Sequence, residues 1–290
     1  MKKKVIAGVV AAVVAILLLF LQFYPAVMEI AVMFFAVLAN MEILRTVGVK
    51  NRGIFVVTTL AAAVIPWNAR YDLLAYTRLP VEVLLLIYVF LLLILMLARY
   101  DVTRFEHVAV ASLSSLALPY AISTLLKLSG LYRAIGGQYT RSNCSYLLLF
   151  ALVCAWVTDT MAYFSGSKFG KHKMCPKISP KKSWEGAVGG VLGTAGVNVL
   201  IWLVYFGLAR GGVITPLFIP LWVVPPVSVA LSVLAMLGDL TFSAIKRNYG
   251  VKDFGTIMGE GNGGVMDRFD SASFVLPAMY FMVLIYEKLR

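Results

Sequence analysis

Apolar residues in this chain come in blocks of about 20, separated by short polar stretches, and an α-helix needs about that length to cross a bilayer. The blocks predict nine membrane-spanning helices, at roughly 5–24, 26–44, 54–67, 82–98, 107–126, 146–166, 186–208, 217–237 and 272–289. No small-residue cleavage site follows the first block, so we expect an uncleaved span rather than a signal peptide. The pattern therefore predicts an all-α polytopic membrane protein.

Composition agrees with this fold class. The 290 residues are 61% hydrophobic and 14% charged, whereas soluble domains are about 45–50% apolar and about 25% charged. The net charge of +12 suits a protein that meets anionic lipid headgroups or phosphorylated ligands. Nucleic-acid binding is the competing explanation, but the pattern leaves no soluble domain to carry it. Cys144, Cys154 and Cys175 lack metal-ligand spacing, and we expect them to be unpaired.

The distribution of Lys and Arg predicts the topology. Most of the 26 basic residues fall on the face that holds the N-terminus, so we expect that face to be cytoplasmic, in the cell (inner) membrane. Two spans separate the loop near 167–185 from the charged stretch 238–271, which puts both on one face. We expect residues 1–145 to form about five structural spans. Residues 146–290 would form the catalytic region, with about four spans.

The stretch 238–271 concentrates charge between two apolar spans. If the eighth span continues as a helix, Asp239, Ser243 and either Lys246 or Arg247 lie on one face. Asp267 and Asp270, at i and i+3, share a face near the ninth span. Carboxylates converging from two helices suit Mg²⁺, which takes one or two carboxylates plus substrate phosphates. We therefore predict a Mg²⁺ site with the ligands Asp239, Asp267 and Asp270.

A second polar region begins at Asp159, a carboxylate inside a span, which favours a functional role. The sequence Ser179-Pro180-Lys181-Lys182-Ser183 then leads into a helix with Glu185 in its first turn, where lysines near the N-terminus suit an anion. A positive-inside anchor is the alternative explanation for these lysines. The small-residue pairs Gly186/Gly190 and Gly189/Gly193 predict close packing of this helix.

Residues 259–264 read G-x-G-x-x-G, but a membrane helix rather than a strand precedes them, which excludes a dinucleotide fingerprint. Flexible backbone close to a phosphate is the better interpretation, with Asn262 as a hydrogen-bond donor. In the first half, Glu29, Asn40 and Glu42 are polar residues inside spans. We expect them to be structural, with Glu42 at the membrane interface.

These motifs resemble the phosphatidate cytidylyltransferase (CDP-diacylglycerol synthase) family. The resemblance covers about residues 150–275. It rests on Asp159-Thr160-x-Ala162-Tyr163, Ser179-Pro180-Lys181-Lys182-Ser183-Trp184-Glu185-Gly186, Gly238-Asp239-Leu240, Ser243-x-x-Lys246-Arg247-x4-Lys252-Asp253-x-Gly255 and Asp267-Arg268-x-Asp270-Ser271. One departure is plain. Where the family has P-G-H-G-G, this chain has a longer glycine-rich run with Asn262 near the position of the histidine.

The resemblance implies condensation of CTP with phosphatidic acid to give CDP-diacylglycerol and pyrophosphate, by a dimer. The implied metal ligands are Asp239, Asp267 and Asp270, with Asp253 a further candidate for the site. Lys246, Arg247, Lys252 and Arg268 would hold the triphosphate or stabilise developing charge. The implied substrate-binding residues are Asp159, Ser179, Lys181, Lys182, Ser243 and Asn262.

Two other functions remain open on the sequence. A CTP-dependent lipid-alcohol (polyprenol) kinase would have a similar membrane core. A secondary transporter would spread its charges near the bilayer midplane in repeated halves, whereas here they gather in one half and at one face. A CDP-alcohol phosphotransferase fits less well, because its paired D-G and G-x-x-x-D-x-x-x-D pattern is missing.

Overall fold

Helices make up most of the chain in the computed structural model, which describes residue 22 and residues 24–71, 76–255 and 263–290. The helices are α1 (Pro25–Val47), α2 (Arg52–Tyr71), α3 (Val81–Ala98), α4 (Phe105–Ala134), α5 (Arg141–Phe169), α6 (Trp184–Arg210), α7 (Val224–Asn248), α8 (Met266–Phe269) and α9 (Ala272–Leu289). Two short strands, β1 (Lys173–Cys175) and β2 (Ser179–Ser183), lie between α5 and α6. Single 3-10 turns occupy Tyr100–Val102 and Leu221–Val223.

Eight segments of the described chain are helical, long and apolar enough to cross a membrane. They correspond one for one to the last eight predicted spans, and α8 with α9 forms the last of them. The predicted span at 5–24 lies outside the described residues, apart from Gln22 and Tyr24. The prediction of an all-α, multi-pass membrane protein is confirmed.

The chain divides into two compact units. The first contains the described residues up to Pro25 together with Lys127–Ile245 and Asp270–Arg290. The second contains Ala26–Leu126 and Lys246–Phe269. The predicted division into a structural part, 1–145, and a catalytic part, 146–290, concerns chemical role and stays a prediction.

Close packing of α5 on α6 organises the first unit. A Cβ atom on Gly186 would lie 2.8 Å from the carbonyl oxygen of Ala162, and one on Gly190 would lie 2.9 Å from that of Thr158. Real Cβ atoms essentially never come so near a backbone atom, so only glycine permits this separation. The small-residue pattern predicted such contacts.

Polar side chains also join α5, α6 and α7 inside the first unit, at two levels one helical turn apart. At one level the hydroxyl of Thr158 meets the hydroxyls of Thr194 and Ser232, at 3.1 and 3.0 Å. At the other, the Asn198 amide donates to Cys154 Sγ at 3.2 Å and to Ser228 Oγ at 3.1 Å. All six side chains are buried. Hydrogen bonds of this kind hold helices together in lipid. The hydrophobic effect contributes little there, because lipid tails are as apolar as the side chains of a neighbouring helix.

The second unit has an apolar core where α1, α2, α3 and α4 meet. Its fully buried members are Leu44, Ile54, Leu92, Val108 and Ala111. Most of α3 is otherwise exposed, although its sequence is almost entirely apolar. Exposed apolar residues along a span are expected where a helix faces hydrocarbon.

The loop expected near 167–185 contains an antiparallel hairpin, with Lys173 paired to Ser183 and Cys175 to Ser179. Ser183 ends β2 and caps α6, because its hydroxyl accepts a hydrogen bond from the Gly186 amide at 3.2 Å. The predicted helix start at Ser183 is therefore confirmed. The hairpin places Lys182 one residue before the cap.

Candidate functional site

One face of α7 carries the polar residues of the eighth span. Ser228, Ser232, Asp239 and Ser243 are separated by four, seven and four residues, which keeps them within a narrow stripe of the helix surface. The helix continues unbroken to Asn248, so Lys246 follows in the same register. The predicted sharing of a face by Asp239, Ser243 and Lys246 is confirmed.

Asp239 forms an ion pair in the first unit with Lys182 from the end of β2. The Lys182 ammonium lies 2.5 Å from Asp239 Oδ2, and the two side chains are 23% and 21% exposed. One turn further along α7, the Ser243 hydroxyl donates to Asp239 Oδ1 at 3.3 Å. The hairpin and α7 thus bring together a cation, a carboxylate and a hydroxyl, with the Lys182 nitrogen itself buried against Asp239.

Gly238 lets the backbone before α9 approach α7. A Cβ atom here would lie 2.8 Å from the carbonyl oxygen of Asp270 and 3.1 Å from the Phe274 ring. The Asp270 carboxylate accepts a hydrogen bond from the Ser271 amide at 2.7 Å. The Ser271 hydroxyl donates to Asp159 Oδ2 at 3.2 Å. Asp159, Lys182, Asp239, Ser243, Asp270 and Ser271 are called the Asp239 cluster below.

The second unit holds a separate set of charges around Asp267. Asp267 Oδ1 lies 2.6 Å from the Lys246 ammonium, which also sits 5.3 Å from the centre of the Phe254 ring. Asp267 Oδ2 accepts hydrogen bonds from the backbone amides of Phe254, at 3.0 Å, and Gly264, at 2.9 Å. Both charged side chains are nearly buried, at 8% and 11% exposure. A buried ion pair requires such additional hydrogen bonds to offset its desolvation.

Sequence reasoning missed the role of Glu42, which lies on α1 in the same unit. Its side chain is buried, and its two carboxylate oxygens accept hydrogen bonds from the amides of Val265 and Met266, at 2.9 and 2.8 Å. Lys246, Phe254, Gly264, Asp267 and Glu42 are called the Asp267 cluster below. The signal for Glu42 in the sequence is the same as for Asp159, a carboxylate inside an apolar span.

The remaining predicted residues lie nearer the surface. Lys181, Arg247, Lys252 and Arg268 are exposed, and Ser179 and Asp253 are half-buried. Arg247 donates from Nη1 to the Val251 carbonyl at 2.8 Å, which closes the turn after α7. The predicted donor Asn262 lies outside the described residues.

The base of the hairpin is fastened to α6 by Glu185. Its carboxylate accepts hydrogen bonds from the backbone amides of Lys171, at 3.1 Å, and His172, at 3.2 Å. His172 Nδ1 lies 2.6 Å from the same carboxylate. Together with the Ser183 cap, these contacts fix the start of β1 and the end of β2, and therefore the position of Lys182.

The donor atoms of the Asp239 cluster fit a hard cation. Within the described residues there is no group of three or more His, Cys, Asp and Glu side chains placed to hold a metal ion. Mg²⁺ does not require one, because it usually binds one or two carboxylates and completes its shell with substrate phosphates and water. Asp239 already has a cationic group, the Lys182 ammonium, at 2.5 Å. The Asp239 carboxylate could therefore bind a metal ion either together with Lys182 or in place of it.

Comparison with known proteins gives a consistent match. The profile of the cytidylyltransferase family matches residues 2–286. Phosphatidate cytidylyltransferases of Staphylococcus saprophyticus and Staphylococcus haemolyticus are 41% and 40% identical to this chain over 157 residues. That of Staphylococcus aureus is 38% identical over 156 residues. Each alignment covers 53% of this chain and 56% of the relative, so the chain spans about half the length of the curated relatives it matches.

The family profile covers nearly the whole chain, including α1 with Glu42, the hairpin with Lys182, and the stretch from Asp239 to Asp270. The fold is the multi-pass helical one that the sequence predicted. This chain belongs to the cytidylyltransferase family.

Proposed function

We propose that this protein is a membrane phosphatidate cytidylyltransferase, which condenses CTP with phosphatidic acid to give CDP-diacylglycerol and pyrophosphate. The observation that carries the proposal is the Lys182–Asp239 pair at the end of a lysine-rich hairpin, in a chain that belongs to the cytidylyltransferase family. The names of the staphylococcal relatives supply the substrate.

The proposed reaction transfers a nucleotidyl group between two phosphates. A phosphate oxygen of phosphatidic acid attacks the α-phosphorus of CTP. The bond from that phosphorus to the oxygen bridging to the β-phosphorus breaks, and pyrophosphate leaves with the electron pair. The attacking group is already anionic, so the site needs no strong general base. The protein chiefly has to position two anions and stabilise the charge that develops between them.

The lysines of the hairpin suit the lipid phosphate. The Lys182 side chain is partly exposed, with its nitrogen buried beside Asp239, and Lys181 is exposed one residue earlier. We assign Lys181, Lys182 and Ser179 to binding phosphatidate or the α-phosphate of CTP. Asp159 and Ser243 lie in the same cluster and would orient the groups that bind there.

The cations near the end of α7 suit the triphosphate. Arg247, Lys252 and Arg268 are exposed and carry positive charge that can attract a polyanion. Lys246 is held by Asp267 and would stabilise charge from a fixed position. A preorganised charge of this kind is more effective than one that must reorganise during the reaction.

Mg²⁺ belongs to the same proposal. When bound, it would neutralise charge on the triphosphate and on the departing pyrophosphate. Asp239 and Asp270 are the ligands that we assign to it in the first unit, and Asp267 stays a ligand predicted from the sequence alone. Removal of divalent cations with EDTA should abolish turnover, and added MgCl₂ should restore it. Full turnover in EDTA would remove Mg²⁺ from the proposal.

The deciding experiment uses purified full-length protein in detergent or nanodiscs, with phosphatidic acid and CTP labelled in either the α- or the γ-phosphate. We expect the α-label to enter the lipid and the γ-label to leave as pyrophosphate. A lipid-alcohol kinase would give the opposite result, with γ-label in an added polyprenol and α-label in CDP. Incorporation of neither label would contradict both enzymatic functions and leave the transporter.

We further propose that the site faces the cytoplasm and that the protein is a homodimer. The excess of Lys and Arg on one predicted face supports the orientation, and the dimer rests on the family resemblance. Labelling of Cys175, which is half-buried at the end of β1, by an impermeant thiol reagent should occur in inverted vesicles and not in intact cells. Light scattering of the detergent-solubilised protein would give the subunit count.

A further inference from the structure

We infer that Glu42, together with Thr46 one turn later on α1, is a positioning residue that fixes the backbone on both sides of residues 256–262 and thereby orients Asp267. This inference rests on the proposed function, because it assigns Asp267 to the reacting site. It concerns α1, a helix in the half of the chain that the sequence assigned to structural spans.

Glu42 is bound to the backbone that leads into α8. Its oxygens accept the amide hydrogens of Val265 and Met266, at 2.9 and 2.8 Å. The first amides of a helix have no partner within the helix, and here one buried carboxylate satisfies two of them. The next residue in the chain is Asp267, so the position of these two amides sets the position of the backbone that carries the Asp267 side chain.

The space around Glu42 is shaped for a carboxylate. Cβ atoms on Gly255 and Gly264 would overlap it, the former at 2.8 Å from Oε1 and the latter closer still. Glu42 is only 2% exposed as a whole residue. A buried charge is costly unless its hydrogen bonds are made, so the arrangement favours one geometry of residues 264–266 over looser alternatives.

Thr46 secures the other end of the same segment. Its hydroxyl lies 2.9 Å from the Phe254 carbonyl and also 2.9 Å from the Glu42 carbonyl on its own helix. A hydroxyl has one hydrogen, which the two carbonyl oxygens must share. The chain is therefore held to α1 at Phe254 by Thr46 and at Val265–Met266 by Glu42.

Asp267 binds the same backbone through its own carboxylate. Its Oδ2 accepts the amides of Phe254 and Gly264, while its Oδ1 pairs with Lys246. Three successive amides, at Gly264, Val265 and Met266, are thus bound by two carboxylates. Release of Glu42 would free two of these amides and allow Asp267 and Lys246 to shift together.

Hydrogen exchange tests the inference without reference to activity. In Glu42→Ala, the amides of Val265 and Met266 should exchange faster with deuterium in full-length protein, because their acceptor is gone. Ser114→Ala is the matched control. It removes another buried hydrogen bond to α1, from Ser114 Oγ to Asn40 at 2.8 Å, but does not touch this segment. Exchange at 263–269 that is the same in both variants would overturn the inference.

Steady-state kinetics test the link to the reaction. We expect kcat of Glu42→Ala to fall roughly 100-fold, the size of effect that about 1 Å of misplacement produces, with a smaller change in KM for phosphatidate. Glu42→Gln should be intermediate, because its carbonyl accepts one amide while its NH₂ faces the other. Thr46→Val should lower kcat and Thr46→Ser should restore it, since serine keeps the hydroxyl.

The outcomes separate this inference from the proposed function. If wild-type protein incorporates no label from α-labelled CTP, the proposed function is wrong. In that case hydrogen exchange alone tests whether Glu42 holds the amides of Val265 and Met266. If wild-type protein is active and Glu42→Ala keeps the wild-type kcat, the positioning role is wrong. Equal losses of kcat in Glu42→Ala and Ser114→Ala, with equal losses of thermal stability, would also contradict it.

Discussion

The ammonium group of Lys246 lies 2.6 Å from Oδ1 of Asp267, and only 8% and 11% of the two side chains remain exposed. The family resemblance implies separate tasks for these residues, binding of the triphosphate for the lysine and of a metal ion for the aspartate. Their contact means that any cation or phosphate that binds one of them changes the electrostatic environment of the other. We therefore expect a variant of either residue to change both stability and turnover, and the two effects have to be measured apart.

Lys246→Met and Asp267→Asn should each lose turnover and stability. Each leaves a nearly buried charge without its partner, which costs about 3–5 kcal/mol in typical buried pairs. In Lys246→Met, two backbone amides still donate hydrogen bonds to Asp267. The loss of stability in this variant should therefore lie at the lower end of that range. Loss of one preorganised charge should reduce kcat roughly 10²–10³-fold. Thermal unfolding in detergent and turnover with phosphatidate measure the two effects.

The double variant Lys246→Met/Asp267→Asn distinguishes stability from chemistry. It removes both charges together, so unfolding should return toward the wild-type temperature while turnover stays low. Recovery of turnover in the double variant would mean that the pair is only structural. Loss of stability equal to the sum of the single losses would mean that the two side chains are not coupled.

Lys182→Met should weaken the use of phosphatidate more than the fold. The Lys182 side chain is partly exposed, although its nitrogen is buried where it pairs with Asp239, so its loss removes a cation from the Asp239 cluster without opening a core. We expect a higher KM for phosphatidate and a lower kcat, with little change in the unfolding temperature. Lys177→Met is the control, because Lys177 is an exposed lysine of the same hairpin. Equal kinetic effects of the two variants would indicate a general electrostatic contribution of the hairpin.

Gly238→Ala should separate α7 from the start of α9. The added methyl group would lie 2.8 Å from the Asp270 carbonyl and 3.1 Å from the Phe274 ring, so the backbone must shift. Since Asp239 and Asp270 flank this contact, turnover should fall along with stability. Gly207→Ala is the matched control, because a Cβ on Gly207 meets nothing within 4 Å. There alanine should be neutral or stabilise α6 by about 0.5–1 kcal/mol. The close approach would be disproved if both variants behaved alike.

Apolar patterning predicted the helices because a span of about 20 apolar residues has few other structures available in a bilayer. Helical periodicity likewise predicted that Asp239, Ser243 and Lys246 share a face of α7, and small residues predicted the approach of α6 to α5 at Gly186 and Gly190. These are local properties, which a linear sequence contains directly.

The contacts that were missed are not local. Glu42 lies 223 and 224 positions from the amides it binds, and no periodicity relates them. The hairpin was missed because its strands have three and five residues, too few for an alternating pattern to emerge. Lys182 and Asp239 were both selected from the sequence, but their pairing depends on the Ser183 cap and the Glu185 contacts that orient β2.

Thr158→Val should loosen the three-helix packing on which Asp159 depends. Thr158 lies one residue before Asp159, and its hydroxyl meets those of Thr194 and Ser232 from two other helices. Interhelical hydrogen bonds in membranes contribute about 0.6 kcal/mol on average, so the unfolding temperature should fall modestly. A double-mutant cycle with Thr194→Val should give a coupling energy of about that size.

Thr160→Val is the control for this cycle, because its hydroxyl bonds to the Trp156 carbonyl of its own helix. It removes a hydroxyl from α5 without breaking an interhelical bond, so it should couple to Thr194→Val by about zero. Turnover should fall in Thr158→Val and not in Thr160→Val, since only the first shifts α5 against α6 and α7 beside Asp159. A coupling of the same size in both cycles would show that the hydroxyls do not join the helices. The position of Asp159 would then depend on other contacts, such as the glycine contacts between α5 and α6 and the hydrogen bond from Ser271.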